Sequence, residues 1–151
     1  MIVSSADWKL TTTAYAHQRA AIEKLSQLKV GALFMDMGTG KTRTALELIW
    51  LRRKRIVKCV WCCPVSLMEE TRREILRHTS CIDTDISHGG VPRTEKRTIP
   101  QAIWYLVGLE SLGRSPRVAY VLDRLIDGGT FLWLTSQPTS KAIGRNGHGV
   151  L

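Results

Sequence analysis

The order Gly38-Thr39-Gly40-Lys41-Thr42, preceded by the apolar run Gly31-Ala32-Leu33-Phe34-Met35 and followed by Ala45, Leu46, Leu48 and Ile49 at helical spacing, constrains this chain more than any other stretch. It predicts a buried strand that enters a glycine-rich turn and continues into a helix, with main-chain N–H groups at the helix start facing outward. Such amides form a cradle for polyanionic phosphates. In that arrangement Met37, Gly38, Thr39 and Gly40 contribute backbone, Lys41 lies along the β- and γ-phosphate oxygens, and the Thr42 hydroxyl enters the coordination shell of Mg²⁺. The usual pattern has a further glycine five residues before Gly40, where this chain has Met35. An ordinary strand-to-helix turn with a surface lysine is the plainer reading. The fixed order and its flanks favour a nucleoside triphosphate site.

Periodicity places the other elements. Apolar positions Ala21, Ile22, Leu25 and Leu28 predict an amphipathic helix over 14–28, and a second helix runs over 42–53. Residues 57–63 read as a buried strand ended by Pro64; Ser66 with Glu69 three residues on forms a capping box for a helix reaching His78. A short strand over 82–86, a loop over 87–100, a strand over 102–107, a helix over 117–126 stopped by Gly128-Gly129, and a strand beginning at 131–134 follow. Strands alternating with helices predict an α/β fold, a parallel sheet flanked by helices on both faces. On such sheets ligands bind beyond the carboxyl ends of the strands, where residues 38–42 fall.

At 151 residues and 44% hydrophobic content the chain suits one domain with a real core. It has no run long enough for a membrane span and no signal-peptide pattern, so a cytoplasmic location and no membrane partner are expected. The formal charge of +9 favours an anionic partner such as nucleic acid, with basic residues grouped at 52–58, 72–77 and 93–97. Cys59 and Cys62 have metal-pair spacing, but in a strand residues three apart face opposite sides and cannot grip one ion. All four cysteines are expected as reduced, mostly core residues.

With these motifs in order, the chain resembles the first RecA-like domain of superfamily-two helicases, in the Swi/Snf-like branch of DNA translocases, over about residues 13–132. Tyr15-Ala16-His17-Gln18 resembles the Q-motif, which implies that the Gln18 carboxamide reads the adenine edge. Residues 36–42 match the family's phosphate loop, which does without the early glycine. Trp61-Cys62-Cys63-Pro64-Val65-Ser66-Leu67-Met68 with Arg72-Arg73-Glu74-Ile75 resembles motif Ia, and Tyr105 to Leu112 resembles motif Ib. The resemblance implies that Pro64, Ser66, Arg72, Glu110 and Ser111 contact the backbone of DNA, most naturally double-stranded, that ATP and Mg²⁺ are the cofactors, with Lys41 and Thr42 as the catalytic residues, and that a second RecA-like lobe completes the ATP site.

One part of the family pattern is missing. Relatives follow the fourth strand with an Asp-Glu pair that holds Mg²⁺ and positions water; here Phe131-Leu132 continues as Trp133-Leu134-Thr135-Ser136-Gln137, and no acidic residue follows Asp127. If Leu134, Thr135 and Ser136 are encoded TTG, ACG and AGN after the TGG of Trp133, the frame one base earlier reads NTG-GTT-GAC-GAG, which contains Val-Asp-Glu. Residues 140–146 can likewise hide Lys-(Gly or Ser)-Asn-Arg-Ala-Lys. The expectation is therefore a RecA-like domain over 1–132, incomplete at its C-terminus, and an irregular, frameshifted tail over 133–151. The coding DNA decides this. Two other classes stay open: a nucleic-acid-binding module that works without ATP, and another small phosphate-loop enzyme such as a kinase, for which the 87–100 loop offers only Glu95 as an acid.

Overall fold

The computed structural model describes residues 7–35, 38–88, 102–126 and 129–135. Its centre is β1 (Lys58–Cys63), which presents Cys59, Trp61 and Cys63 to one side and Val60 and Cys62 to the other, all buried. A strand buried on both faces belongs inside a parallel sheet. On one edge β3 (Trp104–Gly108) pairs with it in parallel from Cys59↔Trp104 to Cys63↔Gly108. On the other, β4 (Thr130–Leu134) pairs in parallel from Lys58↔Thr130 to Cys62↔Leu134. β2 (Ile86–His88) adds to β3, giving a four-stranded sheet in the order β2-β3-β1-β4.

Parallel neighbours need crossover connections, and helices supply them. α2 (Lys41–Leu51) and α3 (Met68–His78) cover one face, where Leu46, Ile49 and Ile75 pack with Trp61, Trp104 and Leu106. The short α4 (Leu109–Leu112) and α5 (Pro116–Leu125) cover the other, with Leu125 on Val60, Cys62 and Tyr105. Trp61 and Trp104 are fully buried, and burying an apolar side chain of such size stabilises a fold by roughly 2–3 kcal/mol. The expected α/β class, a parallel sheet between helices, is what the chain forms.

α1 (Ala16–Ser26) packs on α2 through Ile22 and Leu48. The two helices run side by side in the same direction. Gln18 near the start of α1 bonds the turn before α2, and Arg52 just past α2 donates to the Leu25, Ser26 and Leu28 carbonyls at the end of α1. The Arg52 guanidinium also stands 5.8 Å from the Phe131 ring near the start of β4, so α2 runs against the strands and begins toward their carboxyl ends. Ahead of α1, the chain is stitched to the end of α3: Thr11 N–H donates to the His78 carbonyl at 2.9 Å, and Leu10 bridges Thr79.

Most expected elements form within a few residues of their sequence positions, but two do not. Residues 31–35 lie in no strand, and Phe34 is 95% exposed. A strand exists only through its ladder partners, and the four strands of the sheet are drawn from elsewhere in the chain. The strand expected over 82–86 is instead a 3₁₀ turn, Asp83–Asp85, followed by β2; the Asp85 carboxylate accepts the Ile82 N–H at 2.8 Å and closes the turn. Ser87 and His88, expected in a loop, belong to β2. Asp36, Met37, the remainder of the 87–100 loop, Gly128 and the tail beyond 135 lie outside the described residues. Among the described residues no helix is long and apolar enough to cross a membrane.

Candidate functional site

Gly38 and Gly40 have φ of 75° and 80°, the left-handed region that other residues avoid. Around Gly38 an added methyl group would meet nothing within 4 Å, whereas at Gly40 it would run into the Gln18 amide nitrogen. Gly40 therefore answers two requirements, backbone and space. It caps α2 with its carbonyl, which accepts the Thr44 N–H at 3.1 Å and the Thr44 hydroxyl at 3.1 Å. The first turn of α2 contains no acidic residue and no side-chain cap. The positive end of this helix thus has no anion from its own first turn to offset it. Lys41 and Thr42 open the helix, each half-buried.

The turn is gripped from behind. Gln18 is 2% exposed. Its Oε1 accepts the Tyr15 N–H at 2.8 Å, and its Nε2 donates to the Thr39 carbonyl at 3.1 Å and the Gly40 carbonyl at 3.4 Å. His17 Nε2 lies 2.9 Å from the same Thr39 oxygen; a carbonyl only accepts, which assigns the hydrogen to that ring nitrogen. The carboxamide expected at a base edge is therefore spent on the turn. Tyr15, 71% exposed, stacks on His17 with centroids 6.0 Å apart.

Sequence reasoning missed Arg43, two residues after Lys41. It is 5% exposed and fully engaged: Nη1 donates to Glu47 at 2.6 Å, Nη2 to the Thr12 carbonyl at 2.6 Å, and Nε to the Thr12 hydroxyl at 2.9 Å. The same hydroxyl lies 2.7 Å from His78 Nδ1, whose Nε2 is 3.1 Å from Glu74. The first turn of α2 is thereby tied to the end of α3. The i,i+4 spacing of Arg43 and Glu47 was a readable signal, but an exposed helix pair has the same spacing.

The second group of predicted residues is brought together by sheet register. Cys63↔Gly108 pairing sets the ends of β1 and β3 side by side, so Pro64, Ser66, Glu110 and Ser111 share one edge. A methyl group on Gly108 would lie 2.5 Å from Val65 Cγ2 and 3.3 Å from the Ser111 hydroxyl, which shows how closely the two turns meet. The expected Ser66–Glu69 capping box is absent. Val65–Leu67 forms a 3₁₀ turn continuous with α3, which has no side-chain cap from its own chain start. Glu110 caps the turn instead, accepting the Val65 N–H at 2.9 Å. Its own main-chain amide and that of Val65 hold the Glu110 carboxyl below its ordinary pKa.

Arg72 is not at this edge chemistry. It donates to Glu69 at 2.8 and 3.0 Å, hydrogen bonds that lower the Glu69 carboxyl to about 2, and it pairs with Asp83. Glu69 also accepts from Arg73, and Arg77 pairs with Glu74. Of the first basic group, Arg52 is bound to α1 carbonyls and Arg53 stacks 3.9 Å over Trp50. Arg72, Arg73 and Arg77 are thus paired with carboxylates, whereas Arg52 and Arg53 hold neutral groups.

The four cysteines are buried and unbridged, with Cys59 and Cys62 on opposite faces of β1 as their spacing requires. Burial pushes the Cys62 thiol up to about 11. Among the described residues no group of three or more His, Cys, Asp and Glu side chains could hold a metal ion. What the first turn can do chemically is hold an extended polyanion on main-chain N–H groups beside one ammonium, with the Thr42 hydroxyl as a single oxygen donor for an accompanying cation. Compared with known proteins, the chain matches no family model and no curated protein sequence.

Proposed function

We propose that this chain binds the triphosphate of ATP at the turn of Gly38, Thr39 and Gly40, with Lys41 on the phosphates and Thr42 on Mg²⁺, as the N-terminal RecA-like lobe of a Swi/Snf-like, superfamily-two DNA translocase. The observation that carries the reading is the pair of left-handed glycines immediately ahead of a helix whose first turn is Lys-Thr-Arg and holds no acid. The parallel α/β sheet between helices is compatible with it. Double-stranded DNA is the proposed second partner, with its backbone at the joined turns of Pro64, Ser66, Glu110 and Ser111. Arg72 contributes there only on leaving Glu69 and Asp83.

Mg·ATP supplies the phosphoryl group, and in the family a second lobe supplies arginines that stabilise its charge in transfer. This chain's own residues bind and orient: helix-start amides and Lys41 grip the triphosphate. With no acidic residue after Asp127, hydrolysis by the chain alone is negligible. A titration with fluorescent ATP tests the reading. Lys41→Ala is expected to weaken binding by at least tenfold, the scale of one charge-assisted contact; equal affinity in wild type and variant refutes it.

The pairing of Arg43 with Glu47 and of Arg72 with Glu69 withdraws two cations from the charge that a basic module binding nucleic acid without ATP would use.

A further inference from the structure

We infer that His17 and Gln18 are positioning residues that aim the main-chain amides of the turn, and that the site consequently takes nucleoside triphosphates with little regard to the base. The inference rests on the triphosphate reading above and deepens it. Its starting point is that the Gln18 carboxamide, the group whose place in the chain suits a base reader, is buried and has both ends engaged: Oε1 on the Tyr15 N–H, Nε2 on the Thr39 and Gly40 carbonyls. A buried amide cannot turn to a base edge without leaving those partners unsatisfied, a loss that costs more than one new hydrogen bond returns.

The same bonds do something else. In a planar trans peptide the C=O and the following N–H point in opposite directions. His17 and Gln18 draw the Thr39 carbonyl toward α1 from two donors, which turns the Gly40 N–H away from α1. Gln18 and Thr44 draw the Gly40 carbonyl inward, which turns the Lys41 N–H outward in the same manner. Two successive amides are thus aimed together, and the pair of positive-φ glycines allows the chain to make that turn. Gly40 is packed so closely on Gln18 that a methyl group added there would run into its amide nitrogen unless one of them shifts. Recognition set up in this way addresses phosphate oxygens and leaves the base to nonspecific contact.

The experiment is competition against fluorescent ATP, on the full chain with Mg²⁺, by ATP, GTP, CTP and inorganic tripolyphosphate. In wild type ATP and GTP are expected within about threefold of each other, since the Gln18 carboxamide is engaged on the turn and not on a base edge. Gln18→Ala is expected to weaken all four competitors, tripolyphosphate included, by one common factor of roughly tenfold. Because Gln18 is buried and its replacement could unfold the chain, exposed His17 gives the second arm. His17→Ala is expected to weaken tripolyphosphate by about threefold with unchanged melting temperature, and His17→Gln, which restores an N–H donor, to recover it. A preference for ATP over GTP that Gln18→Ala abolishes, with tripolyphosphate affinity unchanged, overturns the inference and leaves the triphosphate reading standing. No binding of either ATP or tripolyphosphate by wild type overturns both.

Discussion

Two turns at the carboxyl side of the sheet lead into helices, and they treat their helix starts in opposite ways. The turn before α2 has glycine as its cap, no acid in the first helical turn, and neighbouring side chains that hold its carbonyls. The turn before α3 leads into Glu69 and Glu70 in the first turn of that helix and has the Glu110 carboxylate delivered onto its leading amide from just past the end of β3. One is a helix start whose own first turn supplies no anion; the other is a joint closed by the chain's own anion. A helix terminus by itself therefore says little about ligand binding. What neighbouring side chains do with the carbonyls and amides around it says more.

The contrast can be broken at several points. Arg43→Met removes the buried guanidinium that fastens the first turn of α2 and strands Glu47 and Thr12; the expected destabilisation is about 3 kcal/mol, read as a shift of the urea midpoint. A neutral result would mean that α2 is held by its apolar face alone. Gly40→Ala combines left-handed strain with collision against Gln18 and is expected to cost roughly 2–3 kcal/mol, against about 1 kcal/mol for Gly38→Ala, where there is open space. Equal losses would show that crowding at Gly40 relaxes easily. The smallest effect is expected at the closed joint. Glu110 is depressed below its ordinary pKa, so its contribution is present above that ordinary value and is lost as pH falls through the lower folded-state value. Glu110→Gln should lower the melting temperature slightly at neutral pH and flatten its decline in acid; an unchanged acid profile would remove Glu110 from its capping role.

The sheet was readable because burial leaves a pattern. Cys59 to Cys63 alternate between two cores, and the apolar stripe of α5 meets one of them. The glycine turn was readable because left-handed backbone demands glycine at Gly38 and Gly40. Illegible were the features that depend on which distant groups meet. The run 31–35 carries strand-like residues, but propensity cannot supply a ladder partner. Ser66 and Glu69 have capping-box spacing, yet Arg72 and Arg73 take Glu69, and Glu110 arrives at Val65 from 45 residues away. Arg72 reads as a free cation until the fold brings Asp83 to it. Arg43 carried no sign of its role because Thr12, its partner, lies 31 positions upstream.

The shared direction of α1 and α2 has an electrical corollary. Parallel neighbouring helices add their dipoles, with like poles together at each end, so the pair is self-repelling unless both ends are compensated. At the negative end Arg52 reaches the carbonyls that end α1, Lys24 lies in the last turn of α1, and Arg53 donates to the Trp50 carbonyl at the end of α2. The opposite pole, at Gly40 and the head of α1, is the place where a polyanion would relieve the remaining imbalance, so that its arrival would draw the two helices together rather than merely sit between them.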